Sequence, residues 1–150
     1  MLERFLLDPR HPSPLLPSTM NKRVLIAEDN EDAADTLAEL LRMAGHEPRT
    51  VRDGLEAVAC TQSFLPDCIL LDLGMPRLDG LEAARHIRKL DLLWRPLIVA
   101  TTGSARAIDR VKSEEAGIDV HLTKPLDFDA VLRVLEMAGP PGLEKDLNLD

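Results

Sequence analysis

Between residues 22 and 138 the chain alternates short apolar runs with stretches whose apolar residues recur every three or four positions. Val24–Ala27 is a continuous apolar run, as expected of a strand buried on both faces. Ala33, Leu37, Leu40, Leu41 and Ala44 then share one face of a predicted helix that stops at Gly45. Glu47–Val51 reads as a second, more exposed strand, and Asp53-Gly54 opens a helix to about Ser63. Cys68–Leu73, C-I-L-L-D-L, is the strongest strand signal. Leu81, Ala84, Arg85 and Arg88 fall at helical spacing, and Pro96–Thr101 is another buried strand. A helix is expected from about Ala105 to Ala116, ended by Gly117, and Asp119–Leu122 makes a short fifth strand. Asp127 starts a last helix with Ala130, Val131, Val134 and Leu135 facing inward.

This alternation amounts to five βα units, which implies an α/β fold with a doubly wound parallel sheet and helices on both faces. A five-stranded sheet of this kind commonly has strand order 2-1-3-4-5 and binds ligands at the carboxyl ends of its strands, where the winding reverses. That crevice lies between the first and third strands. The predicted domain covers residues 21–138. Residues 8–18, D-P-R-H-P-S-P-L-L-P-S, hold four prolines, so residues 1–20 are expected to form a loose leader, with Met20 a possible translation start. Residues 139–150 open with helix breakers and end acidic, and are expected to be disordered.

Composition narrows the function. Apolar residues make up 45% of the 150, but aromatics only 3%, so the core must be aliphatic. A net charge of −8 and the lack of a dense Lys/Arg run argue against a nucleic-acid surface. No apolar run approaches the ~20 residues that span a bilayer, and Met1–Leu7 is too short and charged for a signal peptide. Cys60 and Cys68 lack metal spacing and fit a reducing compartment, so a cytoplasmic protein is expected.

The chemistry sits where the strands end. The first strand runs into Glu28-Asp29 and the third into Asp72, bringing three carboxylates to one crevice. Such a cluster repels itself unless a cation or proton intervenes, and Mg²⁺ (or Mn²⁺) suits carboxylate oxygens. The fourth strand delivers Thr101-Thr102-Gly103, and the fifth is followed by Lys124-Pro125. A nucleophile, a metal, a hydroxyl donor and a fixed positive charge suit phosphoryl transfer. Acyl transfer fits poorly, because no Ser or Cys nucleophile is paired with His. Taken singly, Asp29 and Asn30 could cap a helix, Thr101 could end a strand and Lys124 could be a surface residue. Asp72 in an apolar strand is harder to explain structurally.

The segments V-L-I-A-E-D-N, L-L-D-L-G-M-P-R-L-D-G, P-L-I-V-A-T-T-G and H-L-T-K-P-L, in this order and spacing, resemble the response-regulator receiver family of two-component signalling over about residues 22–137. The wording of H-L-T-K-P-L and E-D-N-E-D-A-A is most similar to receivers attached to hybrid sensor kinases. The resemblance implies a CheY-like, flavodoxin-like (βα)5 fold and a phosphoacceptor rather than a conventional enzyme. On it, Asp72 is the aspartate phosphorylated by a sensor histidine kinase or histidine phosphotransfer protein. Asp29 holds Mg²⁺ directly, Glu28 acts through water, and Gly74 contributes its carbonyl. Thr101 is the switch hydroxyl, Lys124 pairs with the phosphoryl group, and the bond before Pro125 is cis. His121 stands where many members carry Tyr or Phe as the second switch residue. Gly74 and Gly103, small at two flanking positions, leave water access open, so a phosphoryl state of ordinary lifetime is expected.

The resemblance also implies a readout by protein contacts. Thr101 and His121 would alter a face that includes Arg106, Lys112 and parts of 127–137, while Ala33, Ala34 and Leu37 would meet a phosphohistidine bundle. A downstream protein target, a stand-alone monomer or weak dimer, and no nucleic-acid or membrane partner are expected. Haloacid-dehalogenase-like enzymes need a second aspartate where this chain has Gly74. A nucleotide-binding fold would need a Gly-rich loop after the first strand. A receiver-like adaptor that signals without phosphate is argued against by the intact Asp29, Asp72, Thr101 and Lys124 set.

Overall fold

A computed structural model of the chain describes residues 21–103 and 109–139. Five strands, β1 (Arg23–Ala27), β2 (Glu47–Val51), β3 (Cys68–Asp72), β4 (Leu97–Thr102) and β5 (Val120–Thr123), form one sheet in the order β2-β1-β3-β4-β5. All neighbours are parallel. The helices between and after them are α1 (Glu31–Met43), α2 (Gly54–Phe64), α3 (Gly80–Arg88), α4 (Arg110–Ala116) and α5 (Phe128–Leu135). None of the helices among the described residues is long and apolar enough to cross a membrane. The predicted leader lies outside the described residues, as does the predicted tail beyond Gly139.

The period of two in each strand builds two cores. Leu25, Ala27, Ile69, Leu71, Ile98 and Ala100 face one way and pack against Ala57, Phe64, Ala83 and Ile87 of α2 and α3. Val24, Ile26, Cys68, Leu70 and Val99 face the other way, against α1 and α5. This is why β1, β3 and β4 read as continuous apolar runs. Each fully buried Leu or Ile side chain contributes ~1.5–3 kcal/mol relative to exposure. The edge strand β2 is mostly exposed and carries Pro48, which an outer strand tolerates.

Each helix starts on an Asn or Asp side chain that accepts from a first-turn amide: Asn30, Asp53, Asp79, Asp109 and Asp127. Three expectations change. The buried face of α1 is Ala34, Ala38 and Leu41, while Ala33 and Leu40 are exposed and Leu37 sits between them. Small alanines let the helix approach the sheet beside Leu41, and Leu37 and Leu40 are turned to its margin. The helix expected from about Ala105 begins at Arg110, because Asp109 is extended (φ −92°, ψ 105°) and caps it; residues 104–108 lie outside the described residues. Ala130 is half-buried, leaving Val131, Val134 and Leu135 as the inner face of α5.

Candidate functional site

Parallel strands all end at one edge of the sheet, and the register decides which side chains meet there. Ala27 lies opposite Leu71, so the next residues, Glu28 and Asp72, emerge side by side. Asp72 in turn lies opposite Thr101, and Thr101 opposite Leu122. Glu28 continues the ladder by donating its amide to the Val51 carbonyl at 3.0 Å, and Lys124 donates its amide to Thr102 at 2.7 Å. The Lys124–Pro125 bond is cis.

Carboxylate oxygens of Glu28, Asp29 and Asp72 lie within 4.8 Å of one another. Glu28 and Asp72 are buried and Asp29 is exposed, so the cluster opens to solvent on one side. The Lys124 ammonium donates to Glu28 Oε1 at 2.6 Å and lies 3.3 Å from Asp72 Oδ2. The other oxygen of Glu28 accepts from the Asn30 amide at 3.1 Å, and Asp72 Oδ1 accepts from the Gly74 amide at 3.0 Å.

Electrostatics follow from this crowding. Burial pushes the Glu28 carboxyl above its ordinary value; Lys124 and the Asn30 amide oppose that, and the Asp72 charge reinforces it. Burial alone would lower the Lys124 ammonium, but its hydrogen bond to Glu28 and the charges of Asp72 and Glu28 outweigh burial and hold it above its ordinary value. Among the described residues three carboxylates cluster, with the Lys124 ammonium against two of them, Glu28 and Asp72. Hard oxygen donors carrying excess negative charge, open on one side, are a fitting donor set for a small divalent cation.

Thr101 is buried at the edge beside Asp72. His121 lies on β5 opposite Ala100. Its ring is half-buried and its Nε2 has no hydrogen-bond partner among the described residues. Burial and nearby Arg110 lower its pKa. A side chain added at Gly103 would meet no atom of the described residues within 4 Å, and the nearest atom to one added at Gly74 is Asp72 Oδ1, 3.7 Å away.

Sequence reasoning missed the brace behind the site. Asp53, read only as a helix cap, is buried and pairs with Arg77 of the β3–α3 loop at 3.0 Å. A side chain on Gly54 would lie 2.0 Å from the Leu78 carbonyl oxygen, so only glycine lets that loop seat on α2. The signal was D-G before a helix, which serves a cap equally well. Also missed was a groove of about 500 Å³ beside the carboxylates, with Ala33, Leu37 and Leu40 on one wall and Pro125, Leu126 and Phe128 on the other.

Known proteins resemble this chain in sequence and in fold. TcrA, a transcriptional regulatory protein of Mycobacterium tuberculosis, is 37% identical over 136 residues, covering 85% of this chain and 53% of TcrA. The chain thus spans about half the length of that curated relative. The receiver domain of the sensor histidine kinase PA1611 from Pseudomonas aeruginosa, solved with a magnesium ion coordinated in its active-site cleft, is 32% identical with a TM-score of 0.71, covering 78% of this chain and 96% of that one. The receiver domain of Ssk1 from Saccharomyces cerevisiae was solved with the histidine phosphotransfer protein Ypd1; that co-crystal structure matches with 29% identity and a TM-score of 0.72, covering 82% of this chain and 92% of that one. The family model described as response regulator receiver domain matches residues 24–136, and the chain belongs to that family.

Proposed function

We propose that this chain accepts a phosphoryl group on Asp72 from a phosphohistidine, carried by a sensor histidine kinase or a histidine phosphotransfer protein. The observation that carries the reading is the meeting of Asp72 with Glu28, Asp29 and Lys124 at one sheet edge. Mg²⁺ (or Mn²⁺) would be held by Glu28, Asp29, Asp72 and the Gly74 carbonyl, and the magnesium in the related PA1611 cleft supports that choice. When bound, the ion screens the repulsion between phosphoryl oxygens and the carboxylates.

In the transfer, a carboxylate oxygen of Asp72 bonds to phosphorus as the phosphorus–nitrogen bond breaks, and the electron pair stays with the imidazole nitrogen. The Gly74 amide restrains the rotation of the attacking carboxylate. Lys124 supplies positive charge beside Oδ2, and Thr101 supplies a hydroxyl from the adjacent strand. Water later cleaves the acyl phosphate, with Gly74 and Gly103 leaving its approach open. The chain assists its own modification and turns over no external metabolite.

The groove beside α1 is the docking surface for the donor, presenting Ala33, Leu37 and Leu40 together with Glu28, Thr101 and Lys124 of the site. Ala34 is buried against the sheet and serves as its floor. The pairing of Ssk1 with Ypd1 supports a partner of this class. Output passes through α4, β5 and α5 to a protein target, with His121 as the moving residue of β5; Arg106 lies outside the described residues. A cytoplasmic, stand-alone monomer or weak dimer, with residues 1–20 and 139–150 outside the domain, completes the proposal.

The test is intact mass after incubation with acetyl phosphate, with and without Mg²⁺. Gain of one phosphoryl group by the wild type, dependent on Mg²⁺ and absent in Asp72→Asn, supports the reading. No gain from acetyl phosphate or from a panel of phosphorylated kinases would sink it in favour of a phosphate-independent adaptor.

A further inference from the structure

The β3–α3 loop, Leu73–Asp79, begins beside the carboxylate cluster and bears Gly74, whose carbonyl the reading above assigns to the cation. At its start Leu73 donates to Thr101 at 3.1 Å and the Gly74 amide to Asp72; at its end the Gly80 amide reaches the Leu73 carbonyl at 3.4 Å. Between those anchors, Met75 is sunk in the core and Leu78 rests on Gly54. The remaining tie is electrostatic. Arg77 has a left-handed backbone, φ 69°, a conformation that non-glycine residues adopt at a cost. Its guanidinium reaches back to Asp53 Oδ2 at 3.0 Å, while Asp53 Oδ1 caps α2 through the Glu56 amide at 2.9 Å. Arg77 is 61% exposed and Asp53 5%. One buried carboxylate thus fastens both the helix start and the loop.

We propose that the Asp53–Arg77 ion pair is a positioning device for the cation site: it holds the β3–α3 loop so that the Gly74 carbonyl stays in reach of a metal bound by Glu28, Asp29 and Asp72. The inference rests on the metal-binding reading given above. Arg77 touches neither metal nor phosphoryl group and acts through the loop.

The sign of the effect separates positioning from plain charge. Removing a cation near a metal site strengthens metal binding by Coulomb's law. Loss of a positioning contact weakens it. Mg²⁺ binding to the full chain, by titration calorimetry and by competition with Mn²⁺ followed by electron paramagnetic resonance, distinguishes the two. Arg77→Ala and Asp53→Asn, the latter keeping a capping oxygen, are each expected to weaken Mg²⁺ binding roughly tenfold, in the range of outer-shell metal partners. The double variant should bind no more weakly than either single one, and Arg77→Lys should recover most of the affinity. Melting of the metal-free proteins controls for a general loss of structure; Arg77→Gly, which relieves the left-handed backbone but loses the ion pair, should weaken binding as Arg77→Ala does. Unchanged or tighter binding by Arg77→Ala would overturn the proposal, as would losses that multiply in the double variant. Failure of the wild type to bind Mg²⁺ would instead overturn the metal reading on which it rests.

Discussion

The two edges of the sheet use charge in opposite ways. At the amino edge, Asp119 is matched on every side: Oδ2 accepts from Arg88 at 2.8 Å and the Ile98 amide at 2.9 Å, and Oδ1 pairs with Arg95 at 2.9 Å. Arg88 also donates to the Gly117 and Pro96 carbonyls, so one guanidinium ties α3 to the starts of β4 and β5. A side chain on Gly117 would lie 2.5 Å from Arg88 Cγ, so this arrangement needs glycine there. Burial and neighbouring Arg95 push Arg88 down to about 10, with Asp119 opposing them. At the carboxyl edge three carboxylates cluster, and among the described residues Lys124 pairs with two of them, Glu28 and Asp72. The amino edge is satisfied internally and contributes stability. The carboxyl edge is left short of positive charge, and that shortage is what a cation and a phosphoryl-transfer site require.

The largest expected difference is all-or-none. Asp72→Asn should abolish phosphoryl acceptance while leaving the metal-free protein as stable as wild type or more so, since it removes one of the repelling charges; intact mass and thermal melting check both halves. Asp119→Ala should do the reverse. It removes the charge partner of Arg88 and the acceptor of the Ile98 amide, and breaking a charge pair of this burial costs about 2–4 kcal/mol. Phosphorylation by acetyl phosphate at a temperature where the variant is folded should match wild type. A variant at either edge that moved both properties together would erase the comparison.

A smaller effect separates the site from its proposed docking surface. Ala33→Arg places a long charged side chain on the wall of the groove. It should slow phosphoryl transfer from a histidine phosphotransfer protein by about tenfold, the effect of losing roughly 1.4 kcal/mol at an interface. Transfer from acetyl phosphate, which needs no docking surface, should be unchanged. Equal slowing with both donors would mean that Ala33 matters to the site itself.

The sheet and its chemical edge were legible because each depends on local signals. A strand buried on both faces must be apolar throughout, as at Ile69–Leu71, and parallel strands must deliver their last residues to one side. The face of α1 was less legible. Ala33, Leu37 and Leu40 recur as regularly as Ala34, Ala38 and Leu41, and hydropathy favours the leucines; close approach to the sheet selects the alanines. Asp109 sets the start of α4 through its side chain, and the periodicity of the expected helix does not announce that cap. The Asp53–Arg77 tie joins two loops through one contact, and no periodicity or spacing announces such a pair.

The finest prediction concerns protons at the crowded edge. In the metal-free protein Glu28 has its pKa raised, chiefly by burial, so the folded state takes up a proton before the unfolded state does. Ionised Glu28 is therefore a penalty on folding at neutral pH, and the penalty is relieved as pH falls through the raised folded value toward 4.5, below which both states are protonated. Lys124 has the opposite consequence. Its raised pKa means that the stability it contributes is fully present below 10.5 and is lost as pH rises through the folded value. Chelated protein should accordingly show a Glu28 contribution that stabilises on mild acidification, and Glu28→Gln should remove that contribution alone. Mg²⁺ should reverse the sign in the same window, because proton and cation compete for the same carboxylate. Melting curves of wild type and Glu28→Gln between neutral pH and 4.5, with chelator and with Mg²⁺, measure it. If wild type and variant respond to acid identically in chelator, the Glu28 carboxyl is not perturbed by its surroundings, and the excess negative charge at this edge is dissipated into solvent instead of being held for a cation.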